Sequence, residues 1–352
     1  MTIDLKTGED YAPRREDYII KIAATYIDPV CQTPRWLEFL DTVTAKDKAL
    51  QSYLQRMAGY CMTGKTTEHV LFFLYGSGAN GKGVFLNTLT AIWGDYACVA
   101  PMEMFIETRG DRHPTELAFL RGARLVVAQE TERGRRWAES KVKALTGGDP
   151  ITARYMRQDF FTFRPQFKLV IAGNHKPSLR SVDEAIRRRF HLLPFTVTIP
   201  VEKRDKDLFE KLKPEWPGIL HWAVIGCLEW QRQGLNPPAA VRDATDEYLA
   251  EEDAIGNWIS ERCDVDTNLQ QRKSQLYANW KEWADASGEF SGSQKMLTME
   301  LEKRGFKPGS EGGTNQAIFH GIALKKTEKT IDPYPADFNI GSRFVPGQPQ
   351  RP

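Results

Sequence analysis

Apolar residues in this chain gather into short unbroken runs, and between the runs they recur with a helical period. Leu71, Phe72, Phe73 and Leu74 form one run, Leu125, Val126, Val127 and Ala128 a second, and Leu169, Val170, Ile171 and Ala172 a third; the stretch 190–195 is a fourth. Runs of this length bounded by turn residues predict strands buried on both faces. Helical spacing governs 33–63, where Trp36, Leu37, Phe39 and Leu40 share one face and Leu50, Tyr53, Leu54 and Met57 another. Helices are also expected over 82–93, ending near Gly94, and over 115–120 and 140–145. Residues 207–232 are helical and rich in tryptophan (Trp216, Trp222, Trp230), and Pro237-Pro238 follows as a linker signal. Later helices should span 240–263, 273–287 and 293–304, the last with Ser293 as N-cap and Gly305 as stop. Residues 151–155 and 160–163 predict a hairpin whose tip is Met156, Arg157, Gln158 and Asp159, and 18–20 a short strand. Strands alternating with helices predict an α/β fold with a mainly parallel sheet.

Composition narrows the reading only a little. The chain has 352 residues, with 41% apolar and 27% charged, an ordinary soluble composition. Lysine plus arginine (48) nearly balances aspartate plus glutamate (46), so any nucleic-acid site has to be a local patch. The five cysteines are dispersed and form no C-x-x-C pair, which argues against a zinc site or a disulfide framework and fits a reducing compartment. No apolar run approaches membrane-spanning length, and the N-terminus lacks a signal-peptide profile. The expected location is therefore cytoplasmic, without a membrane partner.

The first apolar run ends in Gly76-Ser77-Gly78-Ala79-Asn80-Gly81-Lys82-Gly83, a glycine-rich turn that opens a helix. It matches the P-loop pattern G-x-x-x-x-G-K and departs from it only at Gly83, where Ser or Thr ordinarily ligates Mg²⁺. Backbone N–H groups of such a loop cradle the phosphates of ATP, and Lys82 adds a point charge. Water can take the place of the missing hydroxyl, so metal binding should be weakened rather than lost. Glu130 and Glu132 follow the second run: one acid there would hold Mg²⁺ through water, and the same acid or its neighbour would polarise the attacking water, with Glu130 the first choice. Asn174 ends the third run and can contact the γ-phosphate and position that water. Ligands of parallel sheets bind beyond the C-terminal strand ends, so these three groups should converge. Arg187, Arg188 and Arg189 are either a solvated surface or a source of charge for a neighbouring subunit's ATP. Arg154, Arg157 and Lys168 flank the hairpin with Tyr155 and Phe160 between them. That is either a single-strand binding surface or an amphipathic hairpin with a solvated face.

Several short stretches, in order, resemble the superfamily 3 helicases, in particular the helicase portion of the phage/plasmid primase family. They are Pro34-Arg35-Trp36-Leu37-Glu38-Phe39-Leu40, Leu54-Gln55-Arg56-Met57-Ala58-Gly59-Tyr60, the loop with Asn80 before Gly-Lys, Leu120-Arg121-Gly122-Ala123-Arg124 running into Glu130, Lys143-Ala144-Leu145-Thr146-Gly147-Gly148-Asp149, Gly173-Asn174-His175-Lys176-Pro177, and Asp183-Glu184-Ala185-Ile186-Arg187-Arg188-Arg189-Phe190. The resemblance reaches to about residue 326. It implies an AAA+-like P-loop NTPase core that hydrolyses ATP with Mg²⁺ at the subunit interfaces of a homo-hexameric ring, translocates on DNA with a single strand in its channel, and works in the cytoplasm of a bacterial host cell. It makes Glu130 and Glu132 part of motif B, Asn174 the sensor asparagine, Arg188 the arginine finger and Arg189 the next candidate. Residues 143–157 cover the motif with the DNA-tracking hairpin, so Lys143 joins Arg154, Arg157, Gln158 and Lys168 as expected DNA contacts. No primase domain precedes these motifs; either a separate primase-polymerase is a partner or the chain is a fragment.

The expected organisation is an N-terminal segment and helical module (1–65), the ATPase core (66–206), a helical extension and linker (207–248), a winged-helix-like domain (249–326) and a Pro/Gly-rich tail (327–352). Two other functions stay open. One is a DNA-binding replication module in which Gly83 leaves nucleotide turnover slight; the other is a P-loop enzyme acting on a small molecule.

Overall fold

The computed structural model describes residues 1–108, 115–129, 134–312 and 316–325. Its first compact unit runs Met1–Asn257 and its second Trp258–Pro352. The first opens on a two-strand pairing of β1 (Thr2–Ile3) with β2 (Asp10–Tyr11), followed by α1 (Pro34–Val43) and α2 (Lys48–Met62). Then come β3 (Leu71–Tyr75), α3 (Lys82–Trp93), β4 (Ala97–Val99), α4 (Thr115–Ala118), β5 (Leu125–Gln129) and α5 (Glu139–Gly147). A hairpin of β6 (Ile151–Ala153) and β7 (Phe161–Phe163) leads to β8 (Lys168–Gly173), α6 (Glu184–Arg187) and β9 (Phe190–Pro194). Helices α7 (Leu208–Leu212), α8 (Trp216–Gln233) and α9 (Ala239–Glu251) complete the unit, and α10 (Ala254–Arg262) carries the boundary. Residues 18–20 form no strand; Tyr18 and Ile20 are exposed there.

The sheet is parallel throughout, in the order β4-β5-β8-β3-β9. Its strands bury both faces, which is why they read as continuous apolar runs. On β3, Phe72 and Leu74 join a core with α1, α2, α3 and α8, while Leu71 and Phe73 join a second core with Trp137, Tyr248 and Leu249. The chain thus forms three layers, with the P-loop strand β3 between β8 and β9.

The first two helices are capped at their N-termini, one from far away in sequence and one locally. The buried Glu215 carboxylate accepts the Arg35 and Trp36 N–H groups at 3.1 and 3.0 Å, so an anion sits at the N-terminus of α1. Asp47 caps α2 through Ala49 and Leu50 N–H. Helices α2 and α8 approach backbone to backbone at two glycines: a Cβ on Gly59 would lie 2.0 Å from Cys227 N, and one on Gly226 would lie 2.0 Å from Gln55 O.

In the second unit β10 (Cys263–Arg272) is followed by α11 (Lys273–Ser287), α12 (Gln294–Lys303), β11 (Lys307–Ser310) and β12 (Ala317–Leu324). The antiparallel sheet order is β10-β12-β11. Trp258, Trp280 and Trp283 pack in sequence, each indole N–H bonded to an oxygen: Asn279 Oδ1, Ser291 O and Glu261 Oε2. The Ser293 hydroxyl caps α12, and Gly305 follows the helix at φ 93°. The long helix expected over 240–263 is two helices, and the stretch after it is a strand, β10.

Because a methyl group at the α2–α8 crossing must push two backbones apart, Gly59→Ala and Gly226→Ala are each expected to destabilise the first unit by about 3 kcal/mol or more. Urea denaturation followed by tryptophan fluorescence measures this, and an unchanged midpoint contradicts the packing described.

Candidate nucleotide site at the C-terminal edge of the sheet

Strand β3 runs out at Tyr75 and the chain turns through Gly76 to Gly81 before α3 begins at Lys82. The turn needs left-handed backbone at Gly78 (φ 99°), Ala79 (φ 48°) and Gly81 (φ 86°). Alanine bears a real cost there, and Ile199 N–H holds the Ala79 carbonyl at 2.9 Å. Gly81 must be glycine for a second reason: a Cβ would come within 2.5 Å of Val43 and 2.8 Å of Phe39, so the loop sits directly on α1. Asn80 is buried and gives its Nδ2 to Phe195 O at 2.7 Å. The loop is thereby tied to the segment after β9, which carries no motif.

Lys82 closes the site. The residue is 7% exposed, and its ammonium donates to Gly76 O (2.8 Å), Asn80 Oδ1 (3.1 Å) and Asn174 Oδ1 (3.2 Å). Burial draws its pKa below the usual lysine value. Parallel register sets Tyr75 opposite Gly173, so Gly76 and Asn174 leave the sheet side by side. Just beyond Asn174, Lys176 lies over the Tyr75 and Tyr248 rings, and the Tyr248 hydroxyl donates to Pro177 O. Glu130 and Glu132 lie outside the described residues. Gln129, the last residue of β5, donates Nε2 to Asn87 Oδ1 at 3.1 Å, which joins the β5 edge to α3.

This cradle suits the phosphates of a nucleotide: a glycine-rich turn in left-handed backbone, a helix N-terminus and a buried lysine that pairs with no carboxylate among the described residues. For Mg²⁺, Gly83 offers no hydroxyl, and a Cβ there would meet no atom within 4 Å, so the position has room for one.

The other expected residues are not at this edge. Leu71 N–H donates to Arg189 O at 2.7 Å, so the arginine run lies at the opposite end of β3, roughly 17 Å away for five residues. Arg187 and Arg188 are exposed. Arg189, the second arginine-finger candidate, is buried in its own subunit and donates to Thr146 Oγ1 and Ala185 O, which corrects the expectation that it reaches a neighbour. Lys168 is likewise corrected as a DNA contact. It begins the central strand β8, is 2% exposed, and gives its ammonium to Thr63 O, Lys65 O and Gln166 O while lying 4.9 Å from the Tyr60 ring.

Lys143 is paired with Asp183 at 2.6 Å. The hairpin tip is exposed from Tyr155 through Phe160, with Arg157 at φ 58°. Arg154 lies 5.0 Å from the Phe160 ring and Tyr155 stacks on Phe161 at 5.2 Å, so cations and aromatic faces do interleave there. Phe195 and Ile199 brace the loop, and Asn87 and Gln129 join α3 to β5 outside it; none of the four is named by the sequence motifs. Asn87 alone had a signal, its helical spacing of four from Gly83.

A family of unknown function, DUF5906, matches residues 74–189, which take in the loop, β5, the hairpin and the arginine run. The chain is 28% identical over 259 residues to a protein named "Putative helicase" from Acanthamoeba polyphaga mimivirus, covering 67% of this chain and 27% of that protein. Proteins of the same name from Frog virus 3 (25% identity; 68% and 27% covered) and Invertebrate iridescent virus 6 (23%; 97% and 38% covered) are also similar. The chain thus spans between 27% and 38% of the length of the curated relatives it matches. Among solved structures, the apo NrS-1 C terminal region has a similar fold, with a TM-score of 0.51 at 11% identity over 86% of this chain and 79% of that one. All three relatives carry helicase names, and the mixed α/β fold with its five-stranded parallel sheet is compatible with a P-loop-like core. No described helix is long and apolar enough to cross a membrane.

Burial, reinforced by the nearby Arg124 charge and opposed by Cys61, pulls Lys168 down to about 7. Between that value and the ordinary lysine value the unfolded chain carries a proton that the folded chain releases, so stability rises with pH across this window. On going from about pH 7 to about pH 9.5, the unfolding free energy of wild type is therefore expected to increase relative to that of Lys168→Met. Denaturant titrations at the two pH values measure it, and a constant difference refutes the shifted lysine.

Proposed function

We propose that the chain is the motor portion of an ATP-dependent DNA helicase of a phage, plasmid or integrated mobile element, acting in replication as a homo-hexameric ring of the superfamily 3 type. The observation that carries this reading is the Lys82 ammonium shared between the loop and Asn174 at the C-terminal edge of β3 and β8. A phosphate-binding lysine joined to a neighbouring strand's amide is what a nucleotide hydrolase needs in order to sense a γ-phosphate. The helicase names of three viral relatives support the reading independently.

In this proposal Gly76, Ser77, Gly78, Ala79, Asn80, Gly81, Lys82 and Gly83 bind ATP. Glu130 holds Mg²⁺ through water, with Glu132 beside it in sequence. The metal supplies charge neutralisation of the β- and γ-phosphates. Asn174 orients the attacking water. Arg188 is too far from its own subunit's loop to serve it, and its exposure suits a neighbour's site. Single-stranded DNA is tracked by the hairpin tip, where Arg154, Arg157 and Gln158 accompany the exposed aromatic rings. The second unit serves as a winged-helix domain, supported by its order of helix, strand, two helices and a two-stranded wing. A separate primase-polymerase is the proposed partner, and a bacterial cytoplasm the proposed location. The open space at Gly83 favours one competing reading, a nucleotide-binding DNA-binding module of slight turnover.

Lys82→Ala is expected to abolish ATPase activity stimulated by single-stranded DNA, and an unchanged rate refutes the assignment. Wild type without turnover, together with turnover in Gly83→Ser, selects the competing module. Arg188→Ala should keep binding of an ATP analogue while losing hydrolysis about 10³-fold. Hydrolysis that survives means the site is not completed by this arginine.

A further inference from the structure

Gly83 leaves the first turn of α3 without the hydroxyl that a P-loop offers to Mg²⁺. Whatever takes its place has to approach the same surface of the helix. Asn87 stands four residues on, so the two positions are neighbours on one face, ~5–6 Å apart. Helical side chains lean toward the N-terminus and cover the turn before their own Cα. Asn87 thus shares one face of α3 with the open space beside Gly83, where a Cβ would touch nothing within 4 Å, its own amide included.

Asn87 is exposed, yet it is not loose. Its Oδ1 accepts from Gln129 Nε2 at 3.1 Å, and Gln129 ends β5 at the same edge of the sheet as the loop. This bond uses one lone pair of Asn87 and one N–H of Gln129, and neither side chain makes another hydrogen bond among the described residues. The second lone pair of Asn87 Oδ1 and the whole of Gln129 Oε1 are thus available. Amide oxygens are ordinary partners for a hard cation, and Mg²⁺ keeps much of its water. An amide that begins one turn below the missing hydroxyl suits that water shell better than the ion itself.

We propose that the Asn87–Gln129 amide pair replaces the missing P-loop hydroxyl, holding the hydrated Mg²⁺ that accompanies ATP through Asn87 Oδ1 and Gln129 Oε1. The inference rests on the reading of the loop as a nucleotide site. Asn87 and Gln129 act as positioning residues toward the water shell and are not reactants.

The test is equilibrium binding on the full chain. A non-hydrolysable ATP analogue is titrated in EDTA, and Mg²⁺ is then titrated into the protein–analogue complex, with Mn²⁺ binding read by electron paramagnetic resonance. Asn87→Ala is expected to keep analogue affinity in EDTA within about twofold of wild type. It should weaken uptake of either metal about tenfold, the lower end of the loss seen when groups supporting a metal site are removed. Adding Gly83→Ser to Asn87→Ala should restore metal uptake. Such rescue separates a metal role from bracing of helix to strand, because a serine at position 83 cannot rebuild the bond to Gln129. Equal metal affinity in wild type and Asn87→Ala overturns the proposal and leaves the nucleotide site standing, and loss without rescue also overturns it. Failure of wild type to bind the analogue at all overturns the site reading and the proposal together.

Discussion

An ammonium group taken out of water has to be met by oxygens, and the way Lys82 is met determines the shape of the whole site. Its three acceptors come from the end of β3, from the loop interior and from the end of β8. One side chain therefore fixes the loop against the neighbouring strand. All three acceptors are neutral, and no carboxylate among the described residues pairs with Lys82. Neutral oxygens compensate the charge incompletely, which is why burial still draws the lysine pKa down. A phosphate is a better partner than any of them. When the ammonium turns to an anion, the Asn174 amide loses its present bond and is free for the same ligand, so the lysine and the proposed sensor respond to nucleotide as one unit.

The parallel sheet decides what else that site can contain. Parallel pairing sends every strand out at the same edge, so the loop and Asn174 meet there whatever the length of the intervening chain. The same geometry sends the segments that enter the strands to the other edge. Lys168 and the arginine run are both entry segments, and both lie away from the loop. A single subunit with this topology holds a phosphate cradle at one edge and exposed arginines at the other. That separation is the physical basis for proposing that the catalytic arginine serves a second copy.

The core strands were legible because burial on both faces leaves an unbroken apolar run, and the loop because only glycines reach its dihedral angles without strain. Strand β10 was not legible. Val265 and Leu269 do alternate with polar residues there, but they are the two aliphatic side chains from Asp264 through Gln271, and most of the stretch is exposed, so the period-two signal is too sparse to mark a buried strand. The strand pairs instead with β12 across a register shift between Val265 and Gln270. Lys168 was misread for a related reason. A lysine beside a hairpin looks like a surface cation, and nothing local reveals that carbonyls from residues 63 and 65 surround it. Arg189 illustrates the same limit, since one residue separates a buried guanidinium from an exposed one. The tie between the loop and the segment 195–199 was invisible because that segment takes part through backbone groups, Phe195 O and Ile199 N–H, which any sequence supplies.

Among the described residues, four of the polar side chains in and beside the cradle are amides: Asn80, Asn87, Gln129 and Asn174. An amide both accepts and donates, so one set of residues can hold a cation while the site lacks an anion and present N–H groups once a phosphate or a water shell arrives. A carboxylate in the same place would pair with Lys82 more strongly. It would then have to be broken away on nucleotide binding, leaving a buried charge uncompensated at a cost of several kcal/mol. A hydroxyl at position 83 is one polar group that an amide-built site can do without, provided another oxygen reaches the metal's water. Asn87 stands one turn along the same helix, and Gln129 meets it there from the sheet edge. On this view Gly83 belongs to a site whose described polar groups meet charge with neutral, reversible partners, rather than to a P-loop in decay.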